Sequence, residues 1–207
     1  MKAKRHRTRV RAALATAACW TLLTGTAVAA TDTIVPTLTA PTICTNAAVC
    51  QTDNADVYYY MDSSGEYELE GWDRDMVLTM WQNEYSPTDL VRHYDDTPVF
   101  SGEGETDHIW QEGSTGLDSD AVGMAWCNDP VGTTYECDQH YIRIRGNDEY
   151  DLNVTCHEMG HAVGLVHGYM AYPKRSTTDQ AALGCMVSAG YEPDLGTNNI
   201  NGINSTY

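Results

Sequence analysis

The sequence predicts an α+β domain: a mixed sheet packed against a helix over 151–163, with a short helix closing the chain. Three observations predict it. The candidate elements run strand, helix, several strands, helix, loop, helix. The strand candidates are short, alternating or β-rich, and separated by Gly, Asp and Ser turns. Roughly 178 residues remain once an expected leader is set aside, enough for one domain with a proper core and too few for two.

The leader comes first. Lys2, Lys4, Arg5, Arg7, Arg9 and Arg11 precede an apolar stretch that begins at Ala12 and ends in Ala27-Val28-Ala29. A basic start, a short apolar run and an A-x-A end describe a cleavable secretory signal over 1–29. Thr16, Thr21, Thr24 and Thr26 interrupt the run, which speaks against a membrane anchor. The expected location is therefore extracellular. Residues 30–54 are rich in Thr, Ala and Pro, almost without periodicity, and read as an extended arm or a short pro-segment. The domain proper is expected over 55–207.

Residues 57–61, Val-Tyr-Tyr-Tyr-Met, form a β-rich run closed by Ser63, Ser64 and Gly65. A helix is expected over 73–85, started by Asp73 or Asp75 and carrying Met76, Leu78, Met80 and Trp81. Short strands follow around 91–94, 108–110, 121–126 and 140–145. The clearest alternation is 141–145, with isoleucines facing one way and arginines the other. After the helix over 151–163, residues 168–185 read as a loop. In the closing segment 194–207, Ile200, Ile203 and Tyr207 lie at i, i+3 and i+7, one face of a short helix.

Charge and cysteines narrow the partners. The chain carries a formal charge of −17, and losing a leader with six of its twelve basic residues and none of its 29 acidic ones takes it near −23. That balance excludes nucleic acid and an anionic membrane surface as natural partners, and fits a soluble monomer with a solvated acidic surface. Outside the leader six cysteines remain: Cys44, Cys50, Cys127, Cys137, Cys156 and Cys185. An even number in an exported chain reads as disulfides. Proximity favours pairing 44 with 50 and 127 with 137, which leaves 156 with 185, though six thiols allow fifteen pairings and metal ligation is the rival.

Residues 157–167 read His-Glu-Met-Gly-His-Ala-Val-Gly-Leu-Val-His. On a helix, His157 and His161 share a face one turn apart, so both imidazoles can reach one ion. Glu158 can then sit beside that ion and take a proton from bound water. Gly164 permits the left-handed turn that ends the helix and returns His167 as a third nitrogen. From this chain's own composition, five such fixed positions arise by chance in roughly three of 100,000 chains of this size, so the motif is specific. A structural zinc fills all four positions with protein ligands, and no fourth ligand is evident nearby, so catalysis is the expected use.

The run from His157 to His167 matches the metzincin pattern HExxHxxGxxH, and Cys185-Met186 looks like the Met-turn of that family. The segment 195–207 is similar to the ending of matrixin catalytic domains. The resemblance covers roughly 55–207 and implies a zinc endopeptidase acting on protein or peptide substrates. It implies one catalytic Zn2+ on His157, His161 and His167, Glu158 as general base, and Met186 beneath the metal. It further implies substrate lying antiparallel to an edge strand at 121–126, and a side-chain pocket lined by 187–194, including Tyr191 and Pro193. A disulfide between Cys156 and Cys185 would fix the metal helix to the floor beneath it. The match is incomplete. No cysteine-switch segment is present, and position 188, where some metzincins carry a tyrosine, is Ser188. Asp107, His108 and His140 echo only part of a second zinc site, and read better as ordinary strand and loop residues. Ca2+ on Asp118 and Asp120 has no support beyond the acidity of the loop. Two rivals stay open: a zinc hydrolase with a non-protein substrate, and a disulfide-stapled binding module without chemistry.

Overall fold

The computed structural model describes residues 30–40, 43–45, 49–132, 134–146 and 149–207, and the signal expected over 1–29 lies outside them. In chain order the described elements are β1 (Gln51–Thr52), β2 (Asp56–Met61), α1 (Gly71–Met80), β3 (Val91–Tyr94), β4 (His108–Glu112), β5 (Gly123–Pro130) and β6 (Glu136–Ile144). They continue with α2 (Leu152–Ala162), α3 (Gln180–Leu183) and α4 (Thr197–Thr206). The six strands form one sheet in the order β1-β6-β4-β2-β3, with β5 on the other side of β6. All its pairings are parallel except β5 with β6, which is antiparallel. A mixed sheet with four described α-helices is compatible with the expected α+β class.

Alternation builds the core. Val57, Tyr59 and Met61 of β2, Trp110 of β4, and Ile142 and Ile144 of β6 are buried in one cluster with Val77 and Met80 of α1, Trp81 just after it, and Val154 and Met159 of α2. Each such aliphatic side chain contributes roughly 1.5–3 kcal/mol when taken out of water. Arg143, between the two isoleucines, points to the other face, with its guanidinium 3.9 Å over the Tyr67 ring. The sheet thus presents its apolar face to α2. That places the motif-bearing helix directly beneath it.

Four expectations shift. Helix α1 begins at Gly71, because Glu70 is its cap and Asp73 is the reciprocal partner three residues on, with Glu70 N–H donating to Asp73 at 3.1 Å. Strand β5 starts two residues later than expected and runs on to Pro130, its pairing with β6 overriding the turn propensity of Asn128 and Asp129. The span 168–185, read as a loop, contains α3 and most of a 3-10 turn over Gly184–Met186. Both are too short to show a period. The helix expected to run to 85 ends its α-helical part at Met80 and continues as a π-helical turn over Trp81–Tyr85. The short closing helix stands within 194–207 as expected, beginning at Thr197 after Gly196 at φ 80°.

All six cysteines are paired as proximity suggested: Cys44–Cys50, Cys127–Cys137 and Cys156–Cys185. The sulfurs of Cys44, Cys50 and Cys127 lie close together, but each is spent in a disulfide and offers no thiolate to a metal. Among the described residues, no helix is long and apolar enough to cross a membrane. Part of the segment read as an arm joins the fold: β1 pairs with β6 through Gln51 and Thr52. Ile34 bridges to Leu165, and Asp32 to Tyr172.

Candidate metal centre

Helix α2 starts where the sequence can cap it. The Asp151 carboxylate accepts the Val154 N–H at 2.8 Å, satisfying one of the free donors of the first turn. One turn then separates His157 from His161, whose ring centroids are 4.8 Å apart. The helix ends at Ala162, and Gly164 turns the chain at φ 90°. A Cβ there would stand 2.9 Å from Gln51 Cγ, so conformation and space both demand glycine. The returning chain brings His167 Nε2 to 2.9 Å from His157 Nε2 and 3.2 Å from His161 Nε2.

The other ring nitrogens fix the tautomers. His157 Nδ1 faces the Cys185 carbonyl at 2.7 Å, and His161 Nδ1 faces the Leu165 carbonyl at 2.8 Å. A carbonyl only accepts, so both Nδ1 atoms carry the proton and both Nε2 atoms present lone pairs to the shared space. His167 Nδ1 meets no carbonyl among the described residues, so its Nε2 has two uses: as an N–H it donates to one of these lone pairs, and as a third lone pair it completes a site for a cation. Nitrogens bound to a tetrahedral zinc at 2.0–2.1 Å stand about 3.3 Å apart; the 3.2 Å separation matches that spacing and the 2.9 Å one is shorter. Burial lowers the pKa of all three imidazoles, with like-charge neighbours adding to it at His161 and at His167, which falls to about 4. The rings are neutral at pH 7, the form that binds a metal.

Glu158 is 5 % exposed and its Oε2 has no hydrogen-bond partner. Burial pushes its carboxyl up to about 8, while the Ala125 backbone amide on β5 pulls the other way. Met186 is fully buried below α2, and Gly160 makes room for it, since a Cβ at 160 would stand 2.2 Å from Met186 Sδ. Gly123 does the same for the carboxylate, where a Cβ would come within 2.8 Å of Glu158 Oε1. Two cavities meet at His157, Glu158 and His167. One, of about 490 Å³, runs past Gly123, Met124 and Ala125 on one side and Val35, Val49 and Tyr169 on the other. The second, of about 290 Å³, is lined by Asp120, Val122, Asn153, Val154 and residues 187–190.

His157, Glu158, His161, Gly164, His167 and Met186 are therefore gathered at one place. Of the pocket residues expected over 187–194, Tyr191 and Pro193 lie off the second cavity, and Tyr191 is exposed. Asp107, His108 and His140 do not converge. His108 and His140 meet edge-on at 5.6 Å and are buried, each held by the main chain, at Ala162 and Cys50 respectively, while Asp107 joins Asp53 and Asp138. Asp118 and Asp120 belong to no group of converging ligand atoms among the described residues. Sequence reasoning placed Gly123 in the expected edge strand without the reason for a glycine there, and missed what Gly160 and the two carbonyls that orient the imidazoles do. Only Gly160 left a signal, a glycine inside a helical pattern, which costs about 1 kcal/mol and so asks for a packing reason. No protein-family model matches this chain, and no curated protein matches it in sequence.

Proposed function

We propose that this chain is a secreted zinc-dependent endopeptidase with a metzincin-type, matrixin-like catalytic domain. His157, His161 and His167 would hold one Zn2+, and Glu158 is the general base. One observation carries the reading: three neutral imidazoles converge through Nε2 beside a buried carboxylate whose second oxygen has no partner. A structural zinc site would close the fourth position with a protein ligand, and no fourth ligand joins the three histidines among the described residues. Bound zinc supplies Lewis acidity, acidifying a coordinated water and polarising a substrate carbonyl.

The chain's own groups supply the rest. Without an ion, burial would keep Glu158 protonated at neutral pH; the positive charge of a metal on the three histidines would hold it ionised. Its Oε2 then takes the proton of the attacking water and passes it to the leaving amine. Strand β5 pairs with β6 alone among the described strands, so its outer edge offers free N–H and C=O groups to an extended peptide. The substrate backbone lies along Gly123, Met124 and Ala125, and the smaller cavity receives one side chain beside the scissile bond. Three disulfides accord with an oxidising, extracellular location.

Casein digestion with and without a zinc chelator tests the reading at its root. Chelation should abolish hydrolysis, and zinc should restore it; hydrolysis indifferent to chelation would exclude a metal mechanism. Glu158→Gln should lower kcat roughly 10²–10⁴-fold with zinc content unchanged. Near-full activity in that variant would remove Glu158 from its role.

A further inference from the structure

Two of the three histidines are oriented through their rings, and His167 is not. Among the described residues, no carbonyl takes His167 Nδ1 in the way Cys185 and Leu165 serve His157 and His161. Its position therefore depends on its main chain, and the N-terminal arm holds that main chain on both sides. Upstream, Val35 N–H donates to the Gly164 carbonyl at 2.9 Å, and Val166 N–H donates to the Thr33 carbonyl at 2.8 Å. Downstream, Asp32 and Tyr172 exchange two backbone hydrogen bonds of 2.8 Å. The Thr37 hydroxyl donates to the Met170 carbonyl at 2.6 Å. The Thr39 hydroxyl stands 2.6 Å from that carbonyl and 2.9 Å from the Ala171 carbonyl. Met170 and Ala171 in turn donate their N–H groups to the carbonyl of His167 itself, at 2.9 and 3.2 Å.

The arm is anchored to the rest of the fold. Thr31 N–H donates to Asn198 Oδ1 at 3.0 Å, and the Thr33 hydroxyl donates to Asn199 Oδ1 at 2.8 Å. The Gln51 side-chain amide donates to the Val35 carbonyl. Val35 also lines the larger cavity.

We propose that residues 31–39 act as a clamp that positions His167, with Thr37 and Thr39 as its positioning residues. The segment is then a standing part of the metal centre rather than a pro-segment to be discarded. This rests on the zinc reading of the three histidines. Groups that orient a metal ligand without touching the metal commonly change affinity by roughly 10–100-fold when removed. Two hydroxyls acting through the main chain should fall at the lower end.

The test uses the full chain carrying Thr37→Val with Thr39→Val, which keeps side-chain shape and removes both hydroxyls. A matched pair, Thr37→Ser with Thr39→Ser, keeps them. Zinc affinity is measured by competition with a chelator, and ligand geometry by the visible spectrum of the Co2+-loaded protein. The valine pair should bind zinc about tenfold more weakly, with altered cobalt bands, and the serine pair should match the parent. Should the valine pair fail to fold, Thr39→Val alone, at an exposed residue, is expected to shift both readouts in the same direction. Parental zinc affinity and cobalt spectrum in the valine variants would overturn the clamp, even if their metal-free form unfolds more easily. An unmodified protein that takes up no zinc would instead overturn the reading of the site, and the clamp with it.

Discussion

Gly160 lies inside α2, between the two histidines of the HExxH run, where an alanine would normally help. Replacing glycine by alanine in a helix gains up to about 1 kcal/mol from backbone entropy. Here the added Cβ would stand 2.2 Å from Met186 Sδ and 3.4 Å from Leu165 Cδ1, so the fully buried Met186 side chain must repack within the core to admit it. Overpacking a tight core costs about 1–3 kcal/mol, so the clash wins. Gly160→Ala should lower unfolding free energy by about 1–2 kcal/mol in urea titration, and Met186→Ala in the same chain should recover part of it. A gain in stability would show that Met186 does not press on the helix. The convergence of the three histidines was legible in the sequence, because eleven consecutive residues and a helical period place them. Gly160 and Gly123 were not, since what forbids a side chain at each comes from residues 26 and 35 positions away.

Between elements, the floor of the site is tied to its helix twice. Cys156 in α2 is bonded to Cys185, whose carbonyl lies 2.7 Å from His157 Nδ1. The bridge spans 29 residues of sequence, so its loss frees much more chain in the unfolded state than loss of Cys44–Cys50, which spans 6. Replacing Cys156 and Cys185 together by alanine should cost about 3 kcal/mol of stability and weaken zinc binding, whereas replacing Cys44 and Cys50 should cost less. Calorimetry paired with chelator competition separates the two effects. Zinc affinity unchanged on loss of Cys156–Cys185 would show that the Cys185 carbonyl holds its place without the bond. Element order was readable from alternation and turn residues, but β1 and α3 were not. A two-residue strand such as β1 has no period, and forms only because Gln51 and Thr52 meet Glu136 and Cys137 in register.

Across the whole molecule, buried titratable groups pull stability in opposite directions with pH. Asp107 is 5 % exposed and close to Asp53 and Asp138, and burial raises its carboxyl from 3.8 to about 7 against the pull of the Tyr58 N–H. Between those two values the folded chain keeps a proton that the unfolded chain has lost, so stability falls as pH rises through the window. Buried His140, lowered to about 3, and His108, lowered too, act the other way: the unfolded chain takes up protons below its ordinary 6.5, so stability falls as pH drops. The parent's own curve mixes both trends. Asp107→Asn isolates one of them, because it keeps an acceptor for Tyr58 N–H and leaves both histidines in place. With divalent cations removed from both proteins, the variant should exceed the parent by on the order of 3 kcal/mol at pH 8 in urea unfolding. That advantage should shrink as pH falls through 7 and vanish near pH 4, where the parent's carboxyl is protonated in the folded chain. An advantage independent of pH would mean that packing, not charge, separates the two side chains, and that Asp107 ionises in the fold as freely as in water.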